Sequence, residues 1–157
     1  MIQEALEYVR SQGIPCGIGA HSIQSIIACE KAGLNPDFYY KTMHHDHYWS
    51  AHPRGNRKEL ESIGGFSPDH NQYHDNMWDI YPEQTVEVFS KVKVPLVGFK
   101  VLAAGAIQPA DGFRYAFENG ADFICVGMFD YQIVEDVNLV TEMLNNGSLN
   151  RSRPWYS

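Results

Sequence analysis

Four short apolar runs, each followed by a stretch with helical spacing, constrain this chain more than any other feature. They are IPCGIGA (14–20), DFYYKTM (37–43), PLVGFKVL (95–102) and DFICVGM (122–128). The intervening segments read as helices. Residues 2–12 carry an apolar stripe of Ile2, Ala5, Leu6 and Val9, stopped by Gly13. Ser22 is placed to cap IQSIIACEKAG, and Pro82 opens PEQTVEVFSKV, where a first-turn proline is favourable. ADGFRYAFENG ends at Gly120, and YQIVEDVNLVTEMLNNG closes the series before the tail SLNRSRPWYS. Apolar strands separated by helices imply an α/β chain with a parallel sheet buried on both faces. Two arrangements satisfy that order: a small open doubly wound sheet, or a (βα)4 half of an eight-stranded barrel.

The glycine pattern favours the second. VLAAGAIQPADGFRYAFENGADFICVGM places a small-Gly-small-Ile turn after one strand, then a helix, then ENGAD, then a strand closing on VGM. It resembles the last two units of aldolase-type (β/α)8 TIM barrels. The expected fold is therefore the C-terminal half of a TIM barrel, one domain over residues 1–157, with a lid-like insertion at 44–81 after the second strand. Four strands cannot close a barrel. The chain is thus expected to need the missing half-barrel, as part of a longer protein, or a second chain. The resemblance also implies a phosphate held on backbone N–H groups of Gly105, Ala106, Gly127 and Met128. Phe129 departs from it, being bulkier than the small residue usual there. The same two turns hold flavin phosphates in related barrels, which makes flavin a less favoured occupant.

Composition narrows the partners. The 157 residues include 44% hydrophobic and 20% charged side chains, ordinary for a soluble globular domain. The net charge of −7, from 19 acidic and 12 basic residues, argues against nucleic acid or an anionic membrane, which need a basic face. No apolar run approaches the roughly 20 residues a membrane helix needs. Cys16, Cys29 and Cys125 form no CxxC pair and read as buried hydrophobes in a reducing, cytoplasmic compartment. The N-terminus carries acidic residues and is not read as a signal peptide.

Two lysines stand inside strands. Alternation puts Lys41, Met43 and His45 on one face of the second strand, and Tyr40, Thr42 and His44 on the other. A buried lysine is costly unless paired or functional. Inside a barrel, Lys41 and Lys100 on neighbouring strands would repel and lower the pKa of one, giving an amine able to attack a carbonyl. PDFYYKTM followed by VGFKVLAAGAI and NGADFICVGM resembles the pattern of the deoxyribose-phosphate aldolase family, the Schiff-base barrels. That resemblance implies Lys41 as the Schiff-base lysine and Lys100 as the lysine that tunes it. The chain departs from it after Lys41-Thr42, where Met-His-His-Asp replaces Ser-Thr-Gly-Phe, and in a gap after Lys100 two residues longer. The alternative is an ion pair between each lysine and a carboxylate on a neighbouring strand, or a role in anchoring the substrate.

Histidine supplies seven residues and tyrosine nine, most of both between 39 and 81. His44, His45, Asp46 and His47 fall where the second strand should end, at the mouth that carries chemistry in parallel barrels; His21 ends the first strand at the same mouth. His21, His45 and Asp46, completed by His47 or His74, would suit a divalent Zn, Mn or Mg ion. His45 or His21 would equally serve as proton shuttle, or the cluster would anchor the insertion by hydrogen bonds. Arg54, Arg57 and Lys58 read as solvated surface, or as contacts for an anionic substrate. Tyr48, Trp49, Phe66, Tyr73, Trp78 and Tyr81 would pack the lid, which also carries His52, His70 and Asp75. Three functions follow. One is a lyase or aldolase acting on a small carbonyl compound, phosphorylated or not. Another is a metal-dependent hydrolase, isomerase or lyase. The third is a non-catalytic small-molecule-binding barrel.

Overall fold

A computed structural model describes residues 1–51, 53–57 and 79–157. The elements are α1 (Ile2–Ser11), β1 (Gly17–Ala20), α2 (Ile23–Lys31), β2 (Phe38–Thr42), α3 (Pro82–Phe89), β3 (Leu96–Phe99), α4 (Pro109–Glu118), β4 (Phe123–Cys125) and α5 (Ile133–Asn145). The four strands are parallel and lie in chain order, β1-β2-β3-β4. This is the (βα)4 half-barrel arrangement, with its large insertion between β2 and α3. Expected local signals hold. Ser22 caps α2 by accepting from the Gln24 N–H at 3.1 Å, and prolines 82 and 109 open α3 and α4.

The register sorts the side chains into rows. Ile18, Tyr39 and Leu96 form one row and Ala20, Lys41, Gly98 and Ile124 another, both on one face. That face meets the helices. Tyr39 lies edge-on to Phe89 of α3 at 5.9 Å and donates its hydroxyl to Glu30 of the α2 helix at 2.5 Å. Around it pack Ile26, Cys29, Phe89, Phe113, Ala116 and Phe117, nearly or wholly buried. Each large side chain of this kind contributes roughly 1.5–3 kcal/mol through burial. Gly112 of α4 is required by the tight approach of that helix: a Cβ there would lie 2.6 Å from the Val101 carbonyl oxygen.

The opposite face departs from the expectation of strands buried on both sides. Its rows are Gly19, Tyr40, Val97 and Phe123, then Thr42, Phe99 and Cys125. Gly19 and Cys125 are exposed and Phe123 is 51% exposed. Among the described residues no helix crosses this face, and the sheet is not closed into a barrel. Beyond β4, Phe129, Tyr131, Val134 and Val137 are exposed as well. No helix among the described residues is long and apolar enough to cross a membrane.

The strands are shorter than the apolar runs. β3 stops at Phe99 because Lys100 takes a left-handed backbone (φ 55°), as do Ala103 and Ala104 (φ 45° and 55°). Non-glycine residues there cost of order 1–3 kcal/mol each, so the surrounding packing must impose the turn.

The tail is strapped across the N-terminal ends of the strands. Asp122 accepts from the Leu96 N–H (2.9 Å), the Tyr156 N–H (2.9 Å), Arg151 (3.0 Å) and Arg153 (3.3 Å). Arg151 also donates to the Phe117 and Ala121 carbonyls, both at 2.7 Å, and lies 3.4 Å over the Trp155 ring. Arg153 reaches the Phe89 and Val94 carbonyls. The two arginines therefore cap the open C-terminal carbonyls of two helices while neutralising one buried carboxylate.

Candidate functional site

The C-terminal ends of the strands hold two separate groups of polar side chains, one on each face of the sheet. His21 directly follows β1. Its Nδ1 lies 2.8 Å from the Thr42 hydroxyl oxygen, and its ring sits 5.2 Å from Phe99. Phe99 in turn stacks on Tyr40 at 4.4 Å. A hydrogen bond to the Cys125 side chain and burial push the Tyr40 hydroxyl pKa up to about 12. Burial pushes the His21 pKa below its ordinary value, and the nearby charges of Lys100 and Lys41 push it further the same way. The imidazole is thus held toward its neutral form by two ammonium groups within electrostatic reach, Lys100 and, from the other face of the sheet, Lys41. Among the described residues Lys100 has no carboxylate partner.

Lys41 lies on the other face. It is fully buried, donates to the Thr42 carbonyl at 2.7 Å and pairs with Asp79 at 3.2 Å. Asp79 is held in turn by the Thr85 hydroxyl of α3 at 2.6 Å and the His44 N–H at 3.3 Å. The carboxylate partner comes from the end of the insertion rather than from a neighbouring strand. A pair with this many supporting bonds offsets the desolvation of both charges.

The histidine cluster is distributed rather than convergent. His44 donates from Nδ1 to the His45 carbonyl (2.8 Å) and accepts at Nε2 from the Asp79 N–H (3.3 Å). His45 accepts the His47 N–H at Nδ1 (3.1 Å), so its Nε2 donates to Asp111 of α4 at 3.0 Å; its ring meets Tyr115 edge-on at 5.4 Å. Asp46 binds Arg54 and Arg57, both at 2.8 Å. Burial alone would push its carboxyl up, but the Arg57 and Arg54 guanidiniums together hold it below its ordinary value. Arg57 also donates to the Ile80 carbonyl, Tyr81 donates to the Arg57 carbonyl, and Arg54 pairs with Glu83. These bonds join the start of the insertion to its end. His47 and Trp49 are exposed. His21 thus stands on the uncovered face, whereas His45 leans on α4. Among the described residues no three His, Cys, Asp or Glu side chains are placed together as metal ligands. His52, Lys58, Phe66, His70, Tyr73, His74, Asp75 and Trp78 lie outside the described residues.

The glycine turns have their own geometry. The Gly105 N–H donates to the Leu102 carbonyl at 2.8 Å and the Ala106 N–H to the Ala103 carbonyl at 3.1 Å, so both are engaged inside the turn. Gly127 and Met128 lie on exposed irregular backbone after β4.

Of the residues singled out from sequence, the structure brings Lys100 and Lys41 within electrostatic reach of His21, while His45 bonds to Asp111 and Asp46 to Arg54 and Arg57. Sequence reasoning passed over Thr42, Tyr40 and Phe99. Their shared alternation was visible, but nothing in FYYKT says which alternate set meets the helices, because both sets carry large side chains.

No protein-family model, no curated protein and no solved structure matches this chain. The parallel βα repeat stands on the coordinates alone, and a specific aldolase family is not shown.

Proposed function

We propose that the strand ends on the uncovered face form the substrate site of an α/β-barrel enzyme acting on a small carbonyl compound, with lyase- or aldolase-like chemistry. The observation that carries this reading is the contact of His21 with Thr42, within electrostatic reach of Lys100, at the C-terminal ends of three adjacent parallel strands. Parallel α/β folds place their chemistry at that end. Lys100 is the amine that attacks or polarises the carbonyl, and His21 contacts the carbonyl oxygen. The left-handed backbone at Lys100 supports the assignment, since residues held in such conformations cluster at active sites. In this reading the roles suggested by the aldolase resemblance shift. Lys41, locked to Asp79, is the structural cation, and Lys100 is the reactive one. Tyr40 and Phe99 form an aromatic floor beneath the substrate. The working enzyme needs the open sheet to be completed, by further strands of a longer chain or by a second chain.

Borohydride reduction with small aldehydes, followed by peptide mass spectrometry, tests this reading. The expected adduct maps to Lys100 and disappears in Lys100→Met. An adduct on Lys41, or none on either lysine across a broad aldehyde panel, removes the Schiff-base chemistry.

A further inference from the structure

The sheet face that no described helix crosses is rich in rings near the strand ends. By register Tyr40, Val97 and Phe123 lie side by side, and Thr42, Phe99 and Cys125 form the next row toward the C-terminal ends. Adjacent strands are about 4.8 Å apart, so these three present a surface roughly 10 Å across. Tyr40 stacks on Phe99 at 4.4 Å with 17° between the ring planes, and the His21 ring lies 5.2 Å from Phe99. Tyr40, Val97 and Phe99 are half-buried rather than sealed, and Phe123 is exposed.

The same end of the sheet is poorly furnished for an anion. Two of the four backbone N–H groups implied for a phosphate, those of Gly105 and Ala106, are already bonded to the Leu102 and Ala103 carbonyls. Helix N-termini attract anions, but the helices that follow β3 and β4 carry carboxylates of their own there. Asp111 stands in the first turn of α4, and Glu135 and Asp136 in that of α5. α4 also opens with Pro109, which has no N–H to offer. Arg114 is the one basic residue between 101 and 150, and it is bonded to Glu118 and to the Ser148 carbonyl.

We propose that the substrate of this site is an aromatic aldehyde or ketone without a phosphate group, its ring laid against the Tyr40–Phe99 stack and its carbonyl at Lys100. The proposal rests on the strand-end reading above and narrows it to a substrate class. A ring stacked on such a pair gains roughly two- to tenfold in affinity over a saturated ring of similar size. A phosphate at the same place gives up its hydration to carboxylates and engaged N–H groups.

Two measurements on the full chain test this. NMR titration of Lys100→Met with benzyl alcohol, cyclohexylmethanol and glycerol 3-phosphate reads the ring preference without covalent chemistry. Benzyl alcohol is expected to bind at least threefold more tightly than cyclohexylmethanol, and glycerol 3-phosphate more weakly than either. Tyr40→Leu and Phe99→Leu, each added to Lys100→Met, should each weaken benzyl alcohol at least threefold. Equal affinity for the two alcohols, tighter binding of the phosphate, or indifference to both leucine substitutions overturns the proposal. Should one variant fail to fold, the other and the three-ligand comparison still decide. In the wild-type chain, borohydride trapping with phenylacetaldehyde and with glycolaldehyde phosphate is scaled to the reaction of each at the exposed Lys93. The expected Lys100 yield is at least threefold higher for phenylacetaldehyde, and a higher yield for the phosphate removes the substrate class while leaving the lysine chemistry. Ring-selective binding in Lys100→Met without any wild-type adduct supports the aromatic ligand and removes only the Schiff-base step.

Discussion

The two ends of this sheet use similar side chains to opposite effect. At the N-terminal ends, Asp122 is surrounded by Arg151, Arg153 and two backbone N–H groups, and the arginines cap four further carbonyls. At the C-terminal ends, on the face that no described helix crosses, His21 stands within electrostatic reach of Lys100, a lysine without a carboxylate partner among the described residues. Burial with matched charges gives rigidity, and it leaves no group able to change its bonding during a reaction. Partial exposure with unmatched charge tunes a proton-binding group and contributes little to stability. Lys41 and Asp79 are instructive because they lie at the same end as His21 yet follow the first pattern, being closed in by α3.

Several substitutions would break or sharpen that contrast. The largest effect is expected for Asp122→Ala, which leaves two buried guanidiniums without their carboxylate. A loss of about 3–5 kcal/mol, read from the urea denaturation midpoint, matches the cost of breaking a buried pair. A loss under about 1 kcal/mol would mean that the tail does not strap the sheet.

Lys41→Met should cost about 3 kcal/mol by stranding Asp79, whereas Lys100→Met should change the same midpoint by less than about 0.5 kcal/mol while removing the aldehyde adduct. Equal destabilisation by the two would erase the distinction between structural and reactive lysine. His45→Ala, which loses the Asp111 bond and the Tyr115 contact, should cost roughly 1–2 kcal/mol with the adduct retained. Loss of the adduct there would place His45 in the site.

The smallest effect is on pH dependence. The pKa of His21 in the folded chain lies below its ordinary value of 6.5, so the unfolded chain takes up that proton more readily. The corresponding stability is complete above about 6.5 and is lost as pH falls through the folded value. Asp46 also has a depressed pKa, but as a carboxylate it contributes above about 3.9 and loses its contribution below that, in a separate window. His21→Gln should flatten the denaturation midpoint between pH 7 and pH 5 and leave the more acidic window unchanged.

Much of the architecture was legible because it depends on local signals. Pro82, Pro109 and Ser22 mark helix starts, and four apolar runs between helices specify a parallel sheet. The ends of the strands were less legible. The left-handed turn at Lys100 has no glycine to announce it. The tail RSRPWYS gave no sign of its role either, since its arginines act through carbonyls some thirty to sixty residues away in the chain.

The sequence by itself determined that these strands are parallel, that helices alternate with them, and that Lys41 and Thr42 point to opposite faces. Tertiary structure decided which of those faces meets the helices, and hence that Lys41 is sealed beside Asp79 while Thr42 turns toward His21. The physical reason lies in FYYKT, where both alternate sets carry a large ring and a group able to hydrogen-bond. Such a strand can be buried from either side, and only the packing of α2 and α3 on Tyr39 removes the ambiguity.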